Sequence, residues 1–241
     1  MIATRIVAKE ALDYLAPNDP AALRSRRDLV RVHLAMGTRA IMSKAWQALL
    51  GTQPGNVPLR ILELGAGDGT LLLGVARSLR HCLPPVQLTL LDRLDIVSAA
   101  TIASFEELGW SVLIQRANVL DWAEQMESSK PRWDLISTTL FLHHFESWQL
   151  KQLLAKTAIC ADRFIACEPR RSMLALTGSY LVGAIGANKV TREDAVLSVR
   201  AGFRGAEITA HWPADLAHWQ LREFAAGIFS QNFSAHRIGS H

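Results

Sequence analysis

Short apolar runs of strand length alternate with longer segments of helical length through the middle of this chain, an order that few folds accept. The runs are LRILEL (59–64), VQLTLLD (86–92), WSVLIQRA (110–117), WDLISTT (133–139) and RFIACE (163–168). Their apolar residues fall on consecutive positions, as in strands covered on both faces. Between them, 70–81, 95–108, 119–128 and 146–161 are long enough for helices. Alternation of this kind implies right-handed crossovers and a parallel sheet with helices on both sides, a doubly wound α/β domain. FRGAEITA (203–210) and QNFSAHRI (231–238) alternate apolar with polar residues and read as a closing antiparallel pair, which completes a mostly parallel seven-stranded sheet.

Ahead of this pattern, GTQPGNVP (51–58) is the one strongly punctuated stretch and reads as a linker. In residues 21–50 apolar side chains recur every three or four positions, at Leu23, Leu29, Val30, Leu34, Ala40, Ile41, Trp46 and Leu49. Two helices with one apolar stripe follow. The expected organisation is an N-terminal helical cap over 1–54 and a main domain over 55–241, with an apolar insertion around 170–202.

Composition narrows the class. With 49% hydrophobic and 20% charged residues among 241, the chain has the material for a core rather than for a disordered segment. The net charge of +4 comes from scattered Lys and Arg, so no basic footprint for nucleic acid is expected. Cys82, Cys160 and Cys167 are odd in number and form no CxxC, which speaks against a disulfide framework or a zinc site and for reduced thiols in a cytoplasm. Charges at Arg5, Lys9, Glu10 and Asp13 interrupt the start of the chain, so no signal peptide is expected. A homodimer stays open.

The most informative stretch is ELGAGDGT (63–70), which leaves the first strand and opens the first helix. Ligands of doubly wound sheets sit beyond the carboxyl ends of the strands, and Gly65, Gly67 and Gly69 let backbone approach one closely. A dinucleotide fingerprint would read GxGxxG, but here the third glycine comes one position early and Thr70 stands in its place. Glu63 and Asp68 would repel a pyrophosphate; they suit a ligand with an ammonium group and a sulfonium. Asp92 closes the second strand about 20 residues on, where a carboxylate can accept from ribose hydroxyls, with Arg93 and Leu94 beside it to flank a purine. The alternative role for Asp92, capping the next helix, falls more naturally to Asp95.

From the glycine motif onward, over roughly residues 55–170, the chain resembles the class I S-adenosylmethionine-dependent methyltransferases, whose fold is Rossmann-like. The resemblance implies S-adenosyl-L-methionine as cofactor, with Glu63, Gly65, Ala66, Gly67, Asp68 and Gly69 around the methionine portion, Asp92 at the ribose, Arg93 beside the adenine ring, Asn118 and Val119 at the adenine edge, and Thr139 near the methionine end. Members commonly carry an acidic residue where Asn118 lies; Asn118 can still accept through its amide oxygen, and Asp121 is an alternative acceptor.

The fourth strand runs into LFLHHFESW, so the acceptor is expected nearby. His143 and His144 are candidate bases for removing a hydroxyl proton, and each can equally be a packing or capping group. His33, on the stripe of the second N-terminal helix, and Glu168, at the end of the fifth strand beside Arg170 and Arg171, complete the candidates. Between Arg171 and Lys189 no charge appears, yet the run is shorter than the ~20 residues of a membrane span, so an apolar cover over the acceptor site is expected instead. Trp212, Trp219, Phe224, Phe229 and Phe233 are pocket wall or strand packing. A sulfonium is already activated, so no metal is expected. The resemblance therefore implies methyl transfer to a small hydrophobic or aromatic acceptor, a phenolic oxygen before a carbon. Three other readings stand beside it: a nucleic-acid or protein methyltransferase, a noncatalytic nucleoside-binding scaffold and a dehydrogenase.

Overall fold

The structure is a computed structural model that describes residues 4–51, 57–126, 132–213 and 218–239. Seven strands, β1 (Leu59–Leu64), β2 (Val86–Asp92), β3 (Trp110–Arg116), β4 (Leu135–Thr139), β5 (Arg163–Pro169), β6 (Trp219–Ala226) and β7 (Ser230–Arg237), form one sheet. Their order is β3-β2-β1-β4-β5-β7-β6. The first five run parallel, and β7 is antiparallel to both β5 and β6. The order reverses between β1 and β4, so the crevice that such sheets use for ligands opens where those two strands end.

Strand parity divides the core. Leu62 and Leu64 of β1, Ile136 of β4 and Phe164 and Ala166 of β5 pack into the layer under α5 (Val119–Gln125) and α6 (Ser147–Cys160). Ile61, Leu135, Ile165 and Cys167, the alternate positions, pack into the layer under α2 (Thr38–Leu50), α3 (Thr70–Leu79) and α4 (Ala99–Glu106). Successive side chains point to opposite faces, so a strand apolar at every position fills both layers. Met42, Trp46 and Leu50 of α2 are buried in the second layer, and Trp46 stacks on Trp110 at 6.4 Å. The helices α7 (Met173–Tyr180) and α8 (Lys189–Ala201) fill the expected insertion after β5.

Several sequence expectations are corrected. FRGAEITA is not a strand. Phe203 forms an isolated bridge to Arg170, Gly205 turns the chain at φ +60°, and a 3-10 helix covers Thr209–His211. Its apparent alternation reflects two anchors: Phe203 and Ile208 are fully buried, while Glu207 is bonded to the buried guanidinium of Arg171. The partner of β7 is instead Trp219–Ala226. The apolar stripe also fails on α1 (Pro20–Met36), where Leu23, Val30 and Leu34 are 47%, 55% and 78% exposed and Ala22, Ser25 and Asp28 are buried. Polar contacts decide that face: the Ser25 hydroxyl meets that of Thr191 at 2.7 Å, and Asp28 accepts from Asn188 N at 2.7 Å. His33 lies on this first helix, not on the second. α4 begins at Ala99 with Ser98 as its cap, so Asp95 does not cap it. The linker reading at 51–58 falls largely on residues outside those described. No helix among the described residues is long and apolar enough to cross a membrane.

Candidate active site

β1 ends in Glu63 and Leu64, and the chain then passes through Gly65, Gly67 and Gly69 at φ +68°, +57° and +75°. These left-handed conformations disfavour a Cβ. At Gly65 space forbids one as well, because a Cβ would stand 2.4 Å from the Phe141 ring. The loop is pinned to β2: Gly65 N and Ala66 N donate to Leu91 O at 2.9 and 3.1 Å. Asp92 holds it further, accepting from Gly67 N at 2.9 Å and, through its other oxygen, from Leu94 N at 2.9 Å.

The remaining predicted cofactor residues take distinct positions. Asp68 accepts from Thr70 N at 3.0 Å and from the Thr70 hydroxyl at 2.6 Å, so a carboxylate already caps the helix end that a phosphate would need. Glu63 is buried, accepts a hydrogen bond from the Ser137 hydroxyl, and its carboxyl is pushed up to about 7 by that burial, against the opposing pull of the Ser137 and Thr139 hydroxyls. Asn118 caps α5, its amide oxygen accepting from Leu120 N at 2.9 Å, while Val119 behind it is buried. Arg93 does not lie free beside a base site: its guanidinium donates to Asp13 O and stands 2.9 Å from Asp13 Oδ1.

β4 delivers the histidines through a strained turn. Leu140 takes φ +52°, the one non-glycine residue in that region among those described, a conformation that costs an L-residue about 1–2 kcal/mol. Its N–H donates to Cys167 O at 2.8 Å. The next three amides converge on Glu168: Phe141 N and Leu142 N reach Oε1 at 3.0 and 2.9 Å, and His143 N reaches Oε2 at 3.3 Å. Glu168 therefore closes the 3-10 turn Leu142–His144, and it also receives His143 Nδ1 at 2.8 Å.

Sequence spacing offers no way to foresee the next part of the site. Residues 5–14 cross its open end. Arg5 donates to His143 O and Phe145 O at 3.1 and 2.8 Å and to Ala201 O at 2.7 Å. Asp194 of α8 accepts from Ala11 N and Leu12 N at 2.7 and 3.0 Å. Glu10 accepts from the Ser198 hydroxyl, and its Oε1 lies 3.3 Å from His143 Nε2. Asp13 Oδ2 lies 3.2 Å from His144 Nδ1. Burial pulls the His143 pKa down, but Glu10 and Glu168 outweigh it and push the imidazole up to about 9. His33 is the opposite case, for burial lowers it to about 4 with Asp68 opposing, and its Nδ1 is buried without a partner. Glu10, His143 and His144 bring ligand-type atoms within 4.8 Å of one another, a grouping of metal-binding residue types that spacing alone does not reveal.

Loop, strap, histidine turn and insertion enclose one cavity of about 710 Å³. Glu63, Gly65–Asp68, Asp92 and Val119 line it together with His33, His143 and His144 and the apolar Leu29, Val30, Val182, Ile185 and Phe229. Glu168 lies behind the turn and is fully buried. Leu181, Val182 and Ile185 of the insertion also line the cavity.

No protein-family model matches this chain, and no curated protein matches it. Solved structures do. The plantazolicin methyltransferase BpumL in complex with SAH aligns with TM-score 0.61 at 14% identity, covering 91% of this chain and 91% of that one. The related BamL, in complex with a triazolic desmethylPZN analog and SAH, gives 0.63 at 12% identity over 92% of each chain. An O-methyltransferase family protein from Burkholderia thailandensis gives 0.60 at 15% identity, covering 92% of this chain and 62% of that one. The chain has the fold of the S-adenosylmethionine-dependent methyltransferases.

Proposed function

We propose that this chain is an S-adenosyl-L-methionine-dependent methyltransferase that methylates a small apolar or aromatic acceptor, with a phenolic hydroxyl as the first choice. One observation carries the reading. A loop with three glycines at positive φ, bracketed by the carboxylates of Glu63 and Asp92, lines an apolar cavity together with a pair of histidines. That arrangement suits a cationic, amine-bearing nucleoside at one end and a hydrophobic acceptor at the other. Glu63 would take the ammonium group, Asp92 the ribose hydroxyls, the 65–69 backbone the methionine portion, and Val119 one face of the adenine. When bound, the cofactor supplies a methyl group on a positively charged sulfur, open to in-line displacement.

The chain's own contribution is alignment, exclusion of water and removal of the acceptor proton. Leu29, Val30, Val182 and Ile185 give the acceptor an apolar seat closed by α1 and the insertion. The histidine turn adjoins the glycine loop, for His144 packs on the Phe141 ring that abuts Gly65. Methylation at a ring carbon would use the same deprotonated phenol and is distinguished by product. The Asp68 cap on α3 disfavours a pyrophosphate there, and with it the dehydrogenase reading. Cys82, Cys160 and Cys167 form no disulfide, which fits a reducing cytoplasm.

Calorimetry with S-adenosylmethionine and S-adenosylhomocysteine, followed by incubation with methyl-labelled cofactor and a panel of phenols, tests the proposal. Binding and label on the phenol oxygen support it. Label on tRNA or protein only, or tight NAD binding with none of the sulfur nucleoside, overturns it, and cofactor binding without any transfer points to a scaffold.

A further inference from the structure

Four groups around the cavity are candidates to remove the acceptor proton, and their surroundings separate them. Glu168 is fully buried with its oxygens occupied by three backbone N–H groups and His143. His143 is 3% exposed, and each of its ring nitrogens faces a carboxylate, Glu168 at 2.8 Å and Glu10 at 3.3 Å. With both ring nitrogens turned to carboxylates inside the fold, His143 directs neither of them at an acceptor. His33 is half-buried, its Nδ1 is enclosed without a partner, and its pKa is held to about 4 by desolvation against the pull of Asp68, which makes it a weak base.

His144 differs on each count. Its side chain is 23% exposed, and it lines the cavity. Asp13 Oδ2 faces its Nδ1 at 3.2 Å, and no described residue hydrogen-bonds its Nε2. Its ring packs on Phe141 at 6.2 Å, the ring that closes against Gly65, so the imidazole stands one side chain from the glycine loop. The charged and titratable groups facing it are Asp13 and Glu10 from the strap, Arg93 beyond β2 through Asp13, and His143 on its own turn at 4.2 Å. Glu168 and Asp194 lie behind them.

We infer that His144 is the catalytic base, with Asp13 of the N-terminal segment 5–14 as its positioning residue and His143 as a fixed structural group. Asp13 accepts from Nδ1–H, which fixes the tautomer and leaves the Nε2 lone pair toward the acceptor. Nε2 takes the hydroxyl proton as the oxygen–methyl bond forms and the sulfur–methyl bond breaks, and the sulfur keeps the electron pair. The imidazolium so formed, held against Asp13, later returns its proton to water. Arg93 completes the arrangement by fixing Asp13 through two contacts. The inference rests on the proposed methyl transfer, but its main test does not need an acceptor.

That test is long-range proton–nitrogen NMR of the full chain labelled with ¹⁵N, with S-adenosylhomocysteine added, at neutral pH. The expected spectrum shows the Nδ1 proton of His144 in place and His143 protonated at both nitrogens. Asp13→Ala should mix the His144 tautomers while His143 is unchanged; Asp13→Asn, which keeps an acceptor oxygen, should retain the Nδ1–H tautomer if the alanine variant does not fold. With any phenol that turns over, Asp13→Ala should lower kcat by about tenfold to a hundredfold and leave the KM for cofactor unchanged, and His144→Gln should lower kcat at least as far. A His144 protonated at Nε2 alone, a tautomer indifferent to Asp13, or a stoichiometric divalent metal retained on Glu10, His143 and His144 overturns the inference. Failure of every phenol with this tautomer pattern intact counts against the proposed acceptor and not against the His144–Asp13 pair.

Discussion

His143 Nδ1 lies 2.8 Å from Glu168 Oε2, and the same carboxylate gathers the amides of Phe141, Leu142 and His143. The pair fixes the histidine turn at both side-chain and backbone level. The His143 pKa, held down by burial but raised above its ordinary 6.5 to about 9 by Glu10 and Glu168, sets the sign of a pH effect. Its stabilisation is complete below pH ~6.5 and is lost as pH rises through ~9. Urea unfolding should show stability falling by a few kcal/mol between those limits, on the order of 1.4 kcal/mol for each pH unit crossed. Glu168→Gln should flatten that decline and cost about 3–5 kcal/mol at neutral pH, because it leaves a buried cation without its nearer partner.

Glu63 has the reverse linkage to ligand. Burial raises its carboxyl to about 7, so the folded protein holds a proton there that an incoming ammonium group must displace. Affinity for S-adenosylhomocysteine should therefore rise up to about tenfold per pH unit below neutrality and level off above pH ~7. Calorimetry across pH 5.5–8.5 checks this, and Glu63→Gln should bind weakly with no such slope.

Gly65→Ala meets two obstacles, a backbone at φ +68° and the Phe141 ring at 2.4 Å from the new carbon. The strain is about 1–2 kcal/mol from the backbone alone. Since Phe141 and the loop both line the cavity and one of them must shift, the variant should lose cofactor affinity by about tenfold while remaining folded, as read by calorimetry and thermal denaturation.

Asp92 organises two turns at once, through Gly67 N and Leu94 N. Asp92→Ala should reduce cofactor affinity by roughly a hundredfold, combining a lost sugar partner with a loosened loop, against roughly tenfold for Asp92→Asn, which retains one acceptor oxygen. Competition with a fluorescent nucleoside analogue measures both.

The features legible in the sequence are those that depend on neighbours in the chain. β1, with its consecutive apolar residues, and the glycine loop that follows it are readable because strand burial and loop conformation are local demands. Glu10 and Asp13 are not, since their partners His143 and His144 lie far along the chain and their own segment has only a short 3-10 turn at Ala11–Asp13. The α1 stripe misleads for a related reason: Leu23 and Leu34 have helical spacing, but Ser25 and Asp28 find hydrogen-bonding partners on the insertion, at Thr191 and Asn188, and that face turns inward. FRGAEITA fails as a strand because Gly205 needs a positive φ and Glu207 an ion pair, and neither requirement shows in a pattern of alternation.

The anchoring of residues 5–12 to Asp194, Ser198, Arg200 and Ala201 has a consequence for biogenesis. This segment leaves the ribosome long before the helix that anchors it, so those contacts must wait while β1 to β5 assemble. Competence for chemistry should thus appear only after synthesis has passed α8, well behind the moment at which the nucleoside crevice between β1 and β4 exists. Ribosome-bound intermediates stalled before residue 190 would then capture cofactor without turning it over.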